Sequence, residues 1–210
     1  IYTGEDTLSL HDALPIWGAY VVYGNTAGIF PVLSGGTIAA SAGYKLVSND
    51  ATNYVGYDVT AIGDINGDGM DDVLVGARGV GAAYVLYGNA TGTGASIAYE
   101  SGNGLGNLTA PAGGFKILGP TDGNGYFAYS VSGVGDVNGD GYSDYAIHSS
   151  GSLATFVVYG GSRNDQTLDL SAGTIEGTRG YKITTFGNHW ESVVSGAGDV
   201  NGDGLADIIV

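Results

Sequence analysis

Three short segments place carboxylate and amide oxygens at alternate positions, as in loops that wrap around a metal ion. Loop 1 runs Asp64-Ile65-Asn66-Gly67-Asp68-Gly69-Met70-Asp71-Asp72, loop 2 covers 136–144 (DVNGDGYSD) and loop 3 covers 199–207 (DVNGDGLAD). Positions 1, 3, 5 and 9 are Asp, Asn, Asp and Asp in every copy, and position 6 is glycine. Calcium takes about six to eight oxygen ligands, which short loops of this kind supply.

The predicted ligands of each loop are the side chains at positions 1, 3, 5 and 9 and the backbone carbonyl at position 7. Because position 7 contributes only its backbone, its side chain can vary between loops. The glycine at position 6 permits a sharp turn around the ion. We therefore predict up to three Ca²⁺ ions, one for each loop. The predicted metal ligands are Asp64, Asn66, Asp68, Met70 and Asp72; Asp136, Asn138, Asp140, Tyr142 and Asp144; and Asp199, Asn201, Asp203, Leu205 and Asp207.

Other interpretations of the loops are less consistent with the sequence. Without an ion, the three carboxylates of a loop would converge and repel one another, at about 1 kcal/mol or more for each pair. A plain turn rich in Asp, Asn and Gly is an alternative, which the threefold repetition disfavours. An EF-hand or dockerin-type loop has an acidic residue at position 12 and leads into a helix, whereas position 12 here is Val75, Ile147 and Val210. Magnesium retains its water and seldom occupies an all-protein cage.

The loops belong to a repeated unit, since they begin at Asp64, Asp136 and Asp199, in steps of 72 and 63 residues. A strand ending in Tyr-Gly and an aromatic-Lys-apolar strand follow each other in the same order. Short apolar runs between turn residues predict four strands per unit and no helix. A β-sandwich is also built from short strands, but it does not require this repetition. We predict an all-β fold, a β-propeller fragment of about three four-stranded blades with the calcium loops within the blades.

The chain divides into five predicted segments. Residues 17–54 form a partial blade, 55–126 and 127–189 form two complete repeats of the unit, and 190–210 form a truncated repeat. Residues 1–16 are set aside as non-native, because 7–16 (TLSLHDALPI) match one reading frame of a widely used sequencing adapter. Since a closed propeller has at least about four blades, we expect further blades to be missing from this chain.

Composition excludes several classes of function. The chain has 21 acidic and 6 basic residues and a formal net charge of −15. This charge disfavours binding to nucleic acid and to anionic membrane surfaces. There is no cysteine, so disulfides and thiolate metal sites are excluded. No apolar run approaches the ~20 residues that span a bilayer, so we expect no membrane insertion.

The stretch 55–77 resembles an FG-GAP repeat of the integrin α-chain propeller, and the resemblance extends over essentially everything after Trp17. It rests on the Val-Gly pair at 55–56, the loop GDINGDG at 63–69 and the strand DVLVGA at 72–77. In that family the loop joins adjacent strands of a blade and holds calcium. This chain departs from the family's Phe-Gly and Gly-Ala-Pro signatures, which read Val55-Gly56, Phe127-Ala128 and Trp190-Glu191, and Gly76-Ala77-Arg78 and His148-Ser149-Ser150.

The resemblance implies an extracellular module in which calcium has a structural role. We expect it to serve adhesion, or the recognition of an unknown protein or glycan ligand. The alternative is an accessory, non-catalytic propeller of a larger secreted enzyme of the hydrolase or phospholipase type. No nucleophile accompanies His148 or the segment 189–191 (HWE) at a recognisable spacing, so we predict no enzymatic activity. Weak calcium sites would be filled outside the cell, which predicts a secreted or cell-surface location.

Overall fold

The computed structural model describes residues 18–24, 43–48, 51–88, 96–99, 113–120, 126–162, 167–184 and 192–210. Within these stretches nearly all regular structure is β-strand, which confirms the all-β prediction. Two 3-10 turns of three residues, Ala51–Asn53 and Arg78–Val80, are the helical structure there. No helix in the described part is long and apolar enough to cross a bilayer. The predicted non-native segment 1–16 lies outside the described residues.

The strands are short and follow the predicted order along each unit. They are β1 (Gly18–Val22), β2 (Gly43–Ser48), β3 (Val55–Gly63), β4 (Asp72–Ala77), β5 (Ala82–Leu86), β6 (Ser96–Tyr99), β7 (Gly114–Leu118), β8 (Phe127–Gly135), β9 (Asp144–Ser149), β10 (Ala154–Val158), β11 (Thr167–Asp169), β12 (Gly180–Thr184), β13 (Ser195–Gly198) and β14 (Asp207–Ile209).

These strands form four sheets. Sheet 1 has the order β1-β2-β6, sheet 2 the order β11-β7-β5-β4-β3, sheet 3 the order β12-β10-β9-β8, and sheet 4 pairs β13 with β14. Neighbouring strands in the series β3-β4-β5-β7 of sheet 2 and β8-β9-β10-β12 of sheet 3 pair antiparallel. Sheets 2 and 3 therefore repeat one four-stranded meander.

The structure contains two strands, β6 and β11, that the sequence did not predict. β11 pairs in parallel with β7 and gives sheet 2 a fifth strand, although β11 follows three strands of sheet 3 in the chain. In the same way, β6 follows β5 of sheet 2 and pairs in parallel with β2 of sheet 1. Each of these strands extends the outer edge of the preceding sheet, so the chain connects neighbouring sheets.

Adjacent sheets pack face to face through separate apolar clusters. Successive residues of a strand point to opposite faces, and β4 is buried on both. Leu74 lies in a cluster with Tyr145 and Phe156 of sheet 3, whereas Val75 lies in a cluster with Leu46 of sheet 1. A third cluster joins sheets 3 and 4. The sheets are thus stacked in chain order. Loops 1, 2 and 3, which join β3 to β4, β8 to β9 and β13 to β14, consequently lie in a row.

Candidate metal centre

Each aspartate loop closes a hairpin at the same place. Loop 1 joins β3 to β4, loop 2 joins β8 to β9, and loop 3 joins β13 to β14. The residue before position 1 pairs with position 9 in all three hairpins, as Gly63 does with Asp72. This register brings the aspartate at position 9, the first residue of the outgoing strand, back to the start of the loop.

Glycines with positive φ give the three loops one backbone conformation. Gly63, directly before loop 1, has a φ of 69°, and Gly67 and Gly69 within the loop have φ values of 79° and 88°. The matching glycines have 76°, 77° and 89° in loop 2 and 70°, 79° and 90° in loop 3. This region of φ is strained for residues with a Cβ. The sequence repetition therefore corresponds to repetition of geometry.

Asp64, at position 1, is held inside loop 1 by backbone donors. Its Oδ1 accepts hydrogen bonds from the N–H groups of Gly67 (2.7 Å) and Asp68 (3.1 Å), and its Oδ2 accepts one from Gly69 (2.8 Å). Partial burial works toward a higher pKa of Asp64, but the backbone N–H groups of the loop outweigh it and lower the pKa below 3.8. An ionised carboxylate is therefore fixed at this position.

Positions 3 and 5 continue the same arrangement. Asn66 Oδ1 accepts the N–H of Asp68 at 2.9 Å, and Asp68 Oδ1 accepts the N–H of Met70 at 2.9 Å. The Asn66 amide donates to Asp68 Oδ2 at 3.0 Å. These bonds hold both side chains over the backbone of their own loop, as in Asx-turns.

Asp72, at position 9, is buried and connects the loop to the sheet. Its relative exposure is 0%, and it accepts the N–H of Ile65 at 3.0 Å and that of Gly88, after β5, at 2.8 Å. Burial raises the pKa of Asp72 from 3.8 to about 6, and repulsion from Asp68 and Asp64 adds to the effect of burial, against the two N–H donors. The loop thus contains a carboxylate that a nearby cation would stabilise in its charged form.

Loops 2 and 3 repeat these contacts. Asp136 accepts the N–H groups of positions 4, 5 and 6 in loop 2, and Asp199 does so in loop 3. Asp144 is fully buried, accepts the N–H groups of Val137 and Gly160, and has its pKa raised by burial from 3.8 to about 6. Asp207 of loop 3 is half-buried and accepts the N–H of Val200 at 2.7 Å.

One expectation is corrected by this geometry. We expected the three carboxylates of a loop to converge, but no three Asp, Glu, His or Cys side chains come together as a metal-binding group in the described stretches. The reason is that backbone N–H groups direct the carboxylates. Asp72, for example, faces Ile65 and Gly88.

The donors nevertheless fit a hard cation, because they are all oxygens. A carboxylate oxygen accepts about two hydrogen bonds or ligand contacts. After the bonds described above, acceptor capacity remains on Asp64 Oδ2, on Asn66 Oδ1 and on both oxygens of Asp68 and Asp72. These oxygens, with the predicted carbonyl of Met70, are within the about six to eight ligands of calcium.

His148, considered above as a possible active-site residue, lies in the interior of sheet 3. It is fully buried, its Nδ1 lies 3.0 Å from Thr155 Oγ1, and burial lowers its pKa. A group in this position does not contact solvent and therefore does not reach a dissolved substrate. The other candidate, the segment 189–191, lies outside the described residues.

Two features of the described surface were not predicted. The Arg78 guanidinium lies among four tyrosine rings, with its Cζ 4.0 Å from the centroid of Tyr57. Asp58 reaches from β3 to the next sheet, where its Oδ2 accepts the N–H of Val131 at 2.7 Å. The tyrosines four positions and one position before Asp58, repeated before Ser130 in the next unit, were the available sequence signal for the aromatic surroundings of Arg78.

Comparison with known proteins finds no matching family model, but several relatives among curated proteins. The chain is 31% identical over 171 residues to integrin alpha-PS5 of Drosophila melanogaster, 30% over 184 residues to integrin alpha-4 of Xenopus laevis, and 27% over 195 residues to integrin alpha-5 of Xenopus laevis. These alignments cover 75%, 83% and 88% of the chain. The chain spans 15%, 15% and 17% of the length of these relatives.

Proposed function

Because the chain belongs to the integrin α-like (FG-GAP) β-propeller family, we propose that it is a calcium-binding module of an extracellular, non-catalytic propeller. In this proposal calcium is structural, and the propeller serves adhesion by recognising a protein or glycan partner. Sheets 1 to 4 are parts of successive blades, and the remaining blades lie outside this chain.

The observation that carries the calcium assignment is the threefold repetition of one loop geometry. The three loops share the φ values of their glycines and the same set of side-chain acceptors. For a single loop of this composition, a plain turn rich in Asp, Asn and Gly would remain an alternative. Three turns that each place four oxygen-bearing side chains in the same positions support a shared ligand.

The position of Asp72 supports a structural role for the ion. This carboxylate starts β4, bonds to the loop at Ile65 and bonds to Gly88 after β5. An ion bound to Asp72 and to the rest of loop 1 would therefore connect three strands of sheet 2. Extracellular calcium modules have Kd values near ~10⁻⁴–10⁻³ M, and free calcium at about 100 times Kd stabilises a protein by about 2.7 kcal/mol per site.

Thermal melting in calcium and in chelator tests the calcium assignment. For three sites we expect calcium to raise the Tm by at least about 10 °C. Replacing Asp68, Asp140 and Asp203 together with Ala should abolish this increase. Asp71→Ala is the matched control, because Asp71 is an exposed loop residue outside the predicted ligand set, and it should retain the full increase. An equal Tm in calcium and chelator, with no heat of binding, would contradict the assignment.

Recognition of a partner is tested separately with the calcium-loaded chain on a glycan array. Binding to a defined glycan class that is lost in chelator would identify the glycan form of the proposal. If no glycan binds, recognition is assigned to protein partners, and capture of a purified surface protein in calcium but not in chelator is the expected result. Absence of both would contradict the adhesion role while leaving the calcium sites intact.

A further inference from the structure

Consecutive aspartate loops are hydrogen-bonded to each other through their backbones. The N–H of Ser143, at position 8 of loop 2, donates to the carbonyl of Asp64, at position 1 of loop 1, at 3.2 Å. The N–H of Ala206 donates in the same way to the carbonyl of Asp136, at 2.9 Å. In both cases the donor lies directly before a position-9 ligand, and the acceptor belongs to a position-1 ligand.

A second connection runs between the position-9 carboxylates of loops 1 and 2. Ile65 donates its N–H to Asp72, and its carbonyl accepts the N–H of Gly161 at 2.7 Å. The neighbouring residue, Gly160, donates its N–H to Asp144 Oδ1 at 2.8 Å. Gly160 and Gly161 thus connect Asp144, a predicted ligand of loop 2, to Ile65. Ile65 in turn donates its N–H to Asp72, a predicted ligand of loop 1.

A side chain of each later loop also packs against the loop before it. A Cβ placed on Gly67, at position 4 of loop 1, would lie 2.7 Å from the ring of Tyr142, at position 7 of loop 2. A Cβ on Gly139 would lie 3.1 Å from the side chain of Leu205 in loop 3. The variable side chain at position 7 therefore covers the preceding loop, while its carbonyl is a predicted ligand of its own loop.

We propose that the three loops bind their ions as a coupled row, in which an ion in one loop raises the calcium affinity of the adjacent loop. This inference rests on the proposed calcium function. An ion in loop 2 fixes Asp144 and the carbonyl of Tyr142, and thereby the N–H of Ser143 between them. The bond from Ser143 then orders Asp64 before loop 1 binds, so loop 1 pays less conformational entropy on binding.

Charge acts in the opposite direction, because a bound ion makes its surroundings less favourable for a second cation. Positions 5 and 6 of all three loops are exposed to solvent, and at physiological salt charges are screened over about 8 Å. The backbone bonds, in contrast, join the loops directly. We therefore assign the net coupling to ordering, with a positive sign.

Hydrogen exchange read separately in each loop, across a calcium titration of the full chain, tests the coupling. Asp140→Ala disables loop 2, and the midpoint for protection of 64–72 should then rise at least about fivefold, the lower end of typical coupling. Asp203→Ala is the matched control, since loop 3 shares no described hydrogen bond with loop 1. It should move that midpoint much less. Asp68→Ala should shift loop 2 by the same factor, because coupling is reciprocal.

Ser143 provides a variant that cuts the connection itself. Ser143→Pro removes the donated N–H but leaves the bonds of Gly160 and Gly161 in place. In this background, Asp140→Ala should therefore move the midpoint of loop 1 by a smaller factor than it does in the wild type. Ser143→Ala retains the N–H and matches Ala206 of loop 3, so the full shift should persist. Asp140→Asn replaces Asp140→Ala if exchange in β9 shows that sheet 3 has unfolded.

Two different results would contradict the proposal, and they can be distinguished from each other. If wild-type loops are protected by calcium but the loop 1 midpoint stays unchanged, or falls, in Asp140→Ala and Asp140→Asn, the coupling is wrong and the calcium function stands. If calcium protects none of the three wild-type loops, the calcium function itself is wrong.

Discussion

Sheets 2 and 3 meet in the same way as sheets 3 and 4. At both junctions a side chain of one sheet accepts a backbone N–H of the next, but the accepting side chains differ. At the first, the charged Asp58 accepts the N–H of Val131 at 2.7 Å. At the second, the hydroxyl of Ser130, which stands at the matching position, accepts the N–H of Val194 at 3.3 Å. A charged acceptor at shorter distance forms the stronger bond.

The same contrast appears at the opposite end of the strands. Arg78 is surrounded by tyrosines of sheets 2 and 3. Ser150, its counterpart one repeat later, is buried, and its Oγ has no hydrogen-bond partner. The repeat therefore determines where adjacent sheets contact each other, whereas the individual side chains determine how much each contact stabilises the fold.

The largest expected effect concerns the buried carboxyls Asp72 and Asp144, which are linked across the first junction. Burial raises both pKa values from 3.8 to about 6. The folded state therefore binds protons more tightly than the unfolded state in this range. In chelator, the contribution of these two carboxyls to stability should be largest near pH 4 and should be lost as the pH rises through about 6. Thermal melting across this range measures it.

The control for this pH dependence is the double variant Asp72→Asn/Asp144→Asn. His148 contributes the opposite trend, because burial lowers its pKa from 6.5 and stability is lost as pH falls. The difference between the wild-type and double-variant profiles isolates the two carboxyls. Saturating calcium should reduce the difference in slope, since the ion stabilises the charged forms. Equal slopes in chelator would show that the two carboxyls do not titrate as stated.

The second prediction compares the two inter-sheet acceptors directly. Asp58→Ala should destabilise the chain by about 2 kcal/mol, because it removes a charged acceptor from the N–H of Val131. Ser130→Ala should cost about 1 kcal/mol, as is typical for a neutral hydrogen bond. Chemical denaturation in saturating calcium provides both values. An equal loss in the two variants would remove the distinction between the junctions.

Much of the fold was predictable because the residues that determine it are local and repeated. The turn chemistry of the loops, with strands on either side, predicted the hairpins β3-β4, β8-β9 and β13-β14, which the structure confirms. The integrin-like propeller family was recognisable from the same segments, and the relatives confirm it. The parallel strands β6 and β11 were not predicted, since three or four residues such as TLD at 167–169 show no alternation that distinguishes a strand.

The candidate site was predictable in composition but not in its connections. Sequence spacing assigned oxygens to positions 1, 3, 5 and 9, and these side chains do share each loop. Sequence spacing did not predict that Asp72 and Asp144 accept hydrogen bonds from the backbone N–H groups of Gly88, after β5, and Gly160, after β10. Each of these glycines lies 16 residues beyond its aspartate in the chain. Nor could spacing alone predict that Ser143 donates to Asp64, since this contact depends on how two sheets stack.

The third prediction concerns Arg78, whose guanidinium lies 4.0 and 4.9 Å from the ring centroids of Tyr57 and Tyr54 on sheet 2. It lies 5.7 and 5.8 Å from those of Tyr126 and Tyr129 on sheet 3. Since these contacts bridge the junction and are partly exposed, Arg78→Ala should cost about 1 kcal/mol. Arg78→Lys keeps the charge and should lose less.

Ser150→Ala is the matched change at the second junction, and it should be neutral or slightly stabilising, because it removes a buried hydroxyl without a hydrogen-bond partner. Denaturation in saturating calcium measures all three variants without altering the loops. If Arg78→Ala is as stable as Ser150→Ala, the tyrosines around Arg78 pack against one another without needing the cation, and the Tyr57–Tyr129 contact, with ring centroids 5.5 Å apart, joins the two sheets without it.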